Sequence, residues 1–209
     1  YIWISVDSGV TWQVDTSIGT HQHLINIVAS NDGMNLVAAT SGGNLWISAD
    51  AGSTWVPLGD ELSVIGVSGI AIDPNNSNII YLATGDTDGG DTYSIGVLKS
   101  IDGGLSWSAV GNVAGETTEL IIDPTNSNVI YLATSSGVYK STNAGNSWNN
   151  IRSGNVRDID MKPGSPNVIY AVTSSEFFIT TDSGANWNTI TAGLPTTSGR
   201  LAIATTAAN

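Results

Sequence analysis

The sequence predicts an all-β protein, a β-propeller of four-stranded antiparallel blades that is itself part of a larger propeller. Three observations lead there. Five of the seven Trp close the same octapeptide: SVDSGVTW at Trp12, SADAGSTW at Trp55, SIDGGLSW at Trp107, STNAGNSW at Trp148 and TTDSGANW at Trp187. These copies lie 43, 52, 41 and 39 residues apart, the period of blade-like repeats. Each period holds four short runs rich in Val, Ile, Thr and aromatics, bounded by Gly, Asn, Pro or Ser, as β-strands joined by tight turns require.

Taken in order, residues 1–14 supply only a third and a fourth strand, a partial blade. Blades then cover approximately 22–58, 67–110, 117–151 and 156–190, and residues 199–209 open another with a first strand at Gly199 to Thr205. The later blades begin with an apolar run, Gly69 to Ile72, Glu119 to Ile122 or Val156 to Met161, and turn at an Asp-Pro or Lys-Pro pair. The second run reads NIIYLAT, NVIYLAT or NVIYAVT. The third reads NLWIS, GVLKS, GVYKS or FFITT, and the fourth starts at the octapeptide Trp. The blade shared between the two ends lacks a second strand, so a five-bladed ring would carry a gap and a segment of a larger propeller is expected.

Within the octapeptide, Ser, Asp and Gly suit a tight hairpin between the third and fourth strands. Gly supplies a positive φ, and the Asp carboxylate accepts backbone N–H groups across the turn. Recurrence in every blade makes Asp7, Asp50, Asp102 and Asp182 turn formers rather than catalytic groups or calcium ligands. Asn143, in the fourth copy, keeps the acceptor without the charge. Trp12, Trp55, Trp107, Trp148 and Trp187 are expected to wedge between blades. The phrase resembles the Asp-box, or BNR, repeat. That resemblance implies kinship with sialidases, GH74 xyloglucanase-type hydrolases, VPS10-sortilin-type domains and photosystem II assembly propellers. The longer phrase DPTNSNVIYLATSSGVYKSTNAGNSW is most similar to the GH74 and VPS10 types and to large secreted bacterial surface proteins.

Composition narrows the partners. The net charge is -12, with three Lys and three Arg against 18 Asp and Glu, which argues against nucleic acid and anionic membrane. No run of about 18 apolar residues could span a bilayer. The absence of Cys excludes disulfide scaffolds, thiol catalysis and Cys-ligated zinc. The chain opens at Tyr1 directly in a strand-like run, so any signal peptide is expected to have been removed or to lie upstream, and the chain to be a segment of a larger polypeptide.

Loops alternate between the two ends of a blade, so the face opposite the octapeptides collects most of the remaining acids: Asp15, Asp60, Glu61, Asp86, Asp88, Asp91, Glu116, Asp158 and Glu176, with Glu119 at its edge. Asp60, Glu61, Tyr93, Glu116, Arg152, Arg157 and Arg200 are the ligand-face candidates. The sialidase resemblance would require an arginine triad drawn from separate blades. Arg152 and Arg157 share one loop and only Arg200 lies on another, so sialidase activity is disfavoured. His21 and His23 could point to one side of an extended loop but lack a third zinc ligand. Glycoside hydrolysis needs two carboxylates about 5 to 9.5 Å apart. Asp60, Glu61, Glu116 and Glu119 could face one another, yet no stretch matches the GH74 general-base motif. The expected function is therefore non-enzymatic recognition or adhesion, with a glycan or protein ligand, in a secreted or cell-surface protein. The alternative is a fragment of a GH74-like hydrolase acting on a β-glucan such as xyloglucan.

The long second-to-third loop TGDTDGGDTYSIG sets Asp86, Asp88 and Asp91 among glycines, the oxygen-rich flexible pattern of a weak calcium site. No cofactor is otherwise required. Calorimetric titration of chelator-treated protein is expected to show calcium uptake with affinity on the order of 10⁻⁴ to 10⁻³ M, absent in an Asp86→Asn/Asp88→Asn variant. No heat and a calcium-independent melting temperature would make the loop a solvated acidic turn.

Overall fold

The computed structural model describes residues 2–5, 7, 9–16, 18, 24–40, 44–58, 66–85, 94–193 and 201–206. These form an all-β architecture without helices. A two-stranded hairpin, β1 (Ile2–Ile4) with β2 (Gln13–Asp15), is followed by four four-stranded antiparallel sheets with strands in chain order. The first sheet comprises β3 (Leu24–Ala29), β4 (Leu36–Thr40), β5 (Leu45–Ser48) and β6 (Val56–Leu58). The second holds β7 (Val67–Ile72), β8 (Ile80–Thr84), β9 (Val97–Ser100) and β10 (Ser108–Val110). The third holds β11 (Thr117–Ile122), β12 (Ile130–Thr134), β13 (Gly137–Ser141) and β14 (Asn149–Ser153), and the fourth β15 (Asp158–Met161), β16 (Ile169–Val172), β17 (Phe177–Thr180) and β18 (Asn188–Ile190). Second strands are the most buried: every residue of β8 and β12 is inaccessible, as expected where neighbouring sheets cover both faces.

The octapeptide turn makes the same bonds in all five copies. Its first residue, Ser5, Ser48, Ser100, Ser141 or Thr180, donates its hydroxyl to the Asp or Asn Oδ1 and accepts the Gly N–H, all at 2.7–3.0 Å. The same Oδ1 accepts the N–H of the seventh residue at 2.8–2.9 Å. Oδ2 of Asp50 and Asp102 accepts the hydroxyls of Thr54 and Ser106 at 2.6 Å, and Oδ2 of Asp182 the Asn186 amide at 2.7 Å. At Asn143 the direction reverses: its Nδ2 donates to Ser147 Oγ at 2.9 Å. A hydroxyl serves as donor or acceptor, which is why this copy tolerates Asn.

Gly52, Gly104, Gly145 and Gly184 have φ of 86–92°, and the residue before each is left-handed too, even where it is Ala51, Ala144 or Ser183 at 56–59°. Two consecutive left-handed residues close the hairpin as a I′-like turn. The glycines also permit close approach. A Cβ on Gly52 would stand 2.7 Å from Ile4, one on Gly104 2.4 Å from Ile47, and one on Gly184 2.3 Å from Ile151, each contact belonging to the preceding sheet. Four of the octapeptide Trp pack the same way: Trp55 against the core shared by the hairpin and the first sheet, Trp107 against that of the first and second sheets, Trp148 against that of the second and third, and Trp187 against that of the third and fourth, whereas Trp12, expected to wedge between blades as well, is 57% exposed beside the β1–β2 hairpin. First-to-second turns dock under the octapeptides through Ala51 N–H to Met34 O, Gly103 N–H to Asn78 O, Ala144 N–H to Asn128 O and Ser183 N–H to Asn167 O.

Residues 201–206, expected to supply a first strand, join no ladder among the described residues. Backbone N–H groups of Ile203 and Thr205 instead donate to Asp158 Oδ2 and Asp160 Oδ2, each at 2.7 Å. Carboxylates of β15 thus stand in for carbonyls.

The turn predicts its own mutational pattern. Asp102→Ala removes the acceptor for Ser100, the Ser106 N–H and the Ser106 hydroxyl and is expected to lower the melting temperature by several degrees. Asp102→Asn, which can reproduce the Asn143 pattern, is expected to stay within about 2 °C of wild type in scanning calorimetry. Equal losses would mean that charge, not hydrogen-bond geometry, holds the turn.

Candidate functional site

The inner strands bring three carboxylates together on adjacent sheets. Cross-strand pairing sets Asn26, Gly69, Glu119 and Asp158 at one register, opposite Ala39, Ala83, Ala133 and Val172. Glu119 on β11 leans back over Gly69 of β7. A Cβ at Gly69 would stand 2.9 Å from its Oε1 and 3.1 Å from its Cα, so the glycine makes the seat. Oε1 accepts the Leu120 N–H at 3.0 Å. Burial pushes the Glu119 carboxyl up to about 7, against the lowering effect of that N–H, and the charges of Asp158 and Asp160 raise it further. The two Asp are tied on both oxygens: Asp158 accepts the Ile159 and Ile203 N–H groups at 2.8 and 2.7 Å, and Asp160 those of Met161 and Thr205 at 2.7 Å each.

Outward from this cluster, the loop face opposite the octapeptides carries the described candidates. Glu116 is exposed, and its backbone is fixed by exchange with Ser135: its N–H donates to Ser135 Oγ at 2.9 Å and its carbonyl accepts the Ser135 N–H at 2.8 Å. Arg152 sits on β14 rather than in a loop. Its guanidinium lies 3.3 Å from the centroid of the Phe178 ring on the next sheet, and Nη1 donates to Ser153 O at 3.2 Å. Burial lowers its proton affinity while the charge of Glu176 restores part of it. Glu176 stands exposed at the tip of a turn whose N–H groups donate to Thr173 Oγ1. Arg157 is half-buried just before β15, its N–H bonded to Val172 O at 2.7 Å. Asp15, grouped by sequence with the ligand-face acids, has a structural partner: its Oδ2 accepts the Trp55 indole N–H at 2.6 Å.

Asp60, Glu61, Tyr93 and Arg200, the calcium candidates Asp86, Asp88 and Asp91, and the His21/His23 pair lie outside the described residues. No group of three His, Cys, Asp or Glu able to hold a metal occurs among the described residues. Asp160 was missed by sequence reasoning, although the alternation in Arg157-Asp158-Ile159-Asp160 places both acids on one face of a strand.

Glu119 and the turn carboxylates respond to pH in opposite senses. With Glu119 raised from 4.5 to about 7, the favourable protonated form is complete below pH 4.5 and lost as pH rises through about 7. Asp102 and Asp182, held at about 2 by hydrogen bonds from Ser106 and Asn186, contribute fully above pH 3.8 and lose that contribution as pH falls through about 2. Glu119→Gln is therefore expected to leave stability near wild type at pH 5 and to raise it at pH 8.5 by at most about 3 kcal/mol. Parallel denaturant titrations at both pH values check this, and an equal effect at each would disprove the buried-acid assignment.

No protein-family model matches the chain, and no curated protein matches it. Solved structures do. An ancestral GH74 enzyme superposes with a TM-score of 0.72 at 23% identity, over 94% of this chain and 29% of that one. The GH74 xyloglucanase from Xanthomonas campestris gives a TM-score of 0.70 at 18% identity, over 84% of this chain and 31% of that one. YCF48 bound to a D1 peptide gives 0.60 at 17% identity, over 85% of this chain and 54% of that one. The chain thus spans under a third of the GH74 chains and about half of the YCF48 chain. It has the β-propeller fold that these proteins share.

Proposed function

We propose that the chain is a recognition propeller of a secreted or cell-surface protein, binding a glycan or a protein segment through the loop face that carries Glu116, Arg152, Arg157 and Glu176. The octapeptide is read as an Asp-box and the repeat as the GH74 and VPS10 type. One observation carries the non-enzymatic reading: both oxygens of Asp158 and of Asp160, the acids beside Glu119, already accept backbone N–H groups. A carboxylate so engaged is committed to holding backbone in place, the use a structural acid serves. YCF48, of similar fold, is bound to a D1 peptide in its solved structure, which fits a propeller face acting by binding alone.

A second reading, a fragment of a GH74-like glycan hydrolase, is favoured by Glu119. A carboxyl held near 7 beside ionised neighbours is what a general acid needs. Titration of xyloglucan oligosaccharides, with reducing-end release assayed on the same samples, separates the two. Saturable binding that Arg157→Ala/Glu176→Ala weakens about tenfold, with no reducing ends released, is expected. Reducing-end release abolished by Glu119→Gln would replace recognition by hydrolysis. A peptide ligand found where oligosaccharides fail would keep recognition and assign it to protein.

A further inference from the structure

Arg152 and Glu176 face each other across the joint between the third and fourth sheets without closing it. Glu176 stands two residues before Phe178, so strand alternation sends both side chains to one face, and the Thr173 N–H to Glu176 O bond at 3.0 Å carries the hairpin ladder that far. Phe178 is 7% exposed and forms a fixed floor. Over it lies the Arg152 guanidinium, brought from β14 of the sheet before, 3.3 Å from the ring centroid. The charge of Glu176 reaches Arg152, yet neither a hydrogen bond nor an ion pair joins the two.

Both groups keep unused capacity. Of the guanidinium donors only Nη1 has an acceptor among the described residues, the Ser153 carbonyl at 3.2 Å. A Cβ on Gly154 would stand 3.4 Å from Nη1, so the glycine leaves that edge of the fork uncovered. No donor among the described residues reaches the Glu176 carboxylate, which is exposed at its turn tip.

A free donor fork opposed to a free carboxylate selects by charge. A carboxylate drawn to Arg152 meets Glu176, and an ammonium drawn to Glu176 meets Arg152, so repulsion offsets each attraction. A neutral group that both accepts and donates meets neither penalty. A sugar hydroxyl does both: its oxygen accepts an N–H and its hydrogen goes to a carboxylate. Two adjacent hydroxyls on one ring can engage the donor and the acceptor together. Stacking on Phe178 holds Arg152 before the ligand arrives, so binding need not order a long flexible side chain.

We propose, resting on the reading of the loop face as a recognition surface, that Arg152 and Glu176 form a subsite for the vicinal hydroxyls of a neutral sugar, with Phe178 as the positioning residue beneath Arg152. The compensated pair admits neutral glycans and turns away acidic ones.

The probes are neutral xyloglucan oligosaccharides and an oligogalacturonide of similar length, each titrated by calorimetry into the whole chain at physiological salt. The wild type is expected to bind the first saturably, moving the Arg152 Nε–H resonance, and not to bind the second. Arg152→Lys, which keeps the charge and loses the planar fork, should weaken the neutral ligand about tenfold. Glu176→Gln, at an exposed position that folding does not depend on, should weaken it several-fold and admit the oligogalacturonide, because Arg152 is then uncompensated. Neutral binding that falls with Arg157→Ala but is indifferent to Arg152→Lys and Glu176→Gln would overturn the subsite and keep the recognition face. Oligogalacturonide bound by the wild type would overturn the charge selection and the subsite with it. No oligosaccharide bound at all would overturn the subsite and leave recognition to a peptide ligand.

Discussion

The structure depends on a turn that satisfies its own backbone so completely that it can be pressed against another sheet. A hairpin turn buried between sheets would orphan its N–H groups at about 1–3 kcal/mol each. Here the first-position hydroxyl and third-position carboxylate absorb the N–H groups of residues five and seven, leaving Gly and Trp as a flat apolar surface. The indole of Trp55 finds Asp15, but those of Trp107, Trp148 and Trp187 bury Nε1 without a partner among the described residues. The large apolar area of each ring offsets that loss, so packing rather than hydrogen bonding fixes the joint.

The same logic explains what the sequence revealed and what it hid. Period, octapeptide and short β-branched runs are local signals, and each maps onto a strand or turn whose geometry its own residues dictate. The left-handed conformation at Ala51, Ala144 and Ser183 was not legible, because nothing in an Ala or Ser announces it; the flanking bonds impose it. Glu119 was visible as an acid, but its burial depends on Gly69, fifty residues earlier in the chain, having no side chain. Arg152 looked like a loop cation and proves to be a strand residue stacked on Phe178, a contact set by how two sheets pack.

Carboxylates in this fold divide by what neutralises them. Turn acids are stabilised as anions by N–H and O–H donors, so they remain charged at acid pH. Asp158 and Asp160 use the same device to fasten residues 201–206 to β15. Glu119 receives one N–H donor and two like-charged neighbours, and it titrates near neutrality. One protein thus holds acids at both extremes through donor count, burial and like-charged neighbours.

That division bears on the ligand. Only six cations exist against 18 acids, and Lys99 and Lys140 are turned inward, donating to the Ala144 and Ser183 carbonyls while lying 5.2 Å from the Tyr81 and Tyr131 rings. Arg152 is likewise engaged over Phe178. With half of the cations committed to holding sheets together, the field of the chain is that of its uncompensated acids. A polyanionic ligand approaching it is repelled at long range, whereas a neutral glycan meets no penalty and a basic peptide is drawn in at moderate salt. Salt dependence of binding therefore separates the two surviving ligand classes: oligosaccharide affinity should be indifferent to ionic strength, and peptide affinity should fall as it rises.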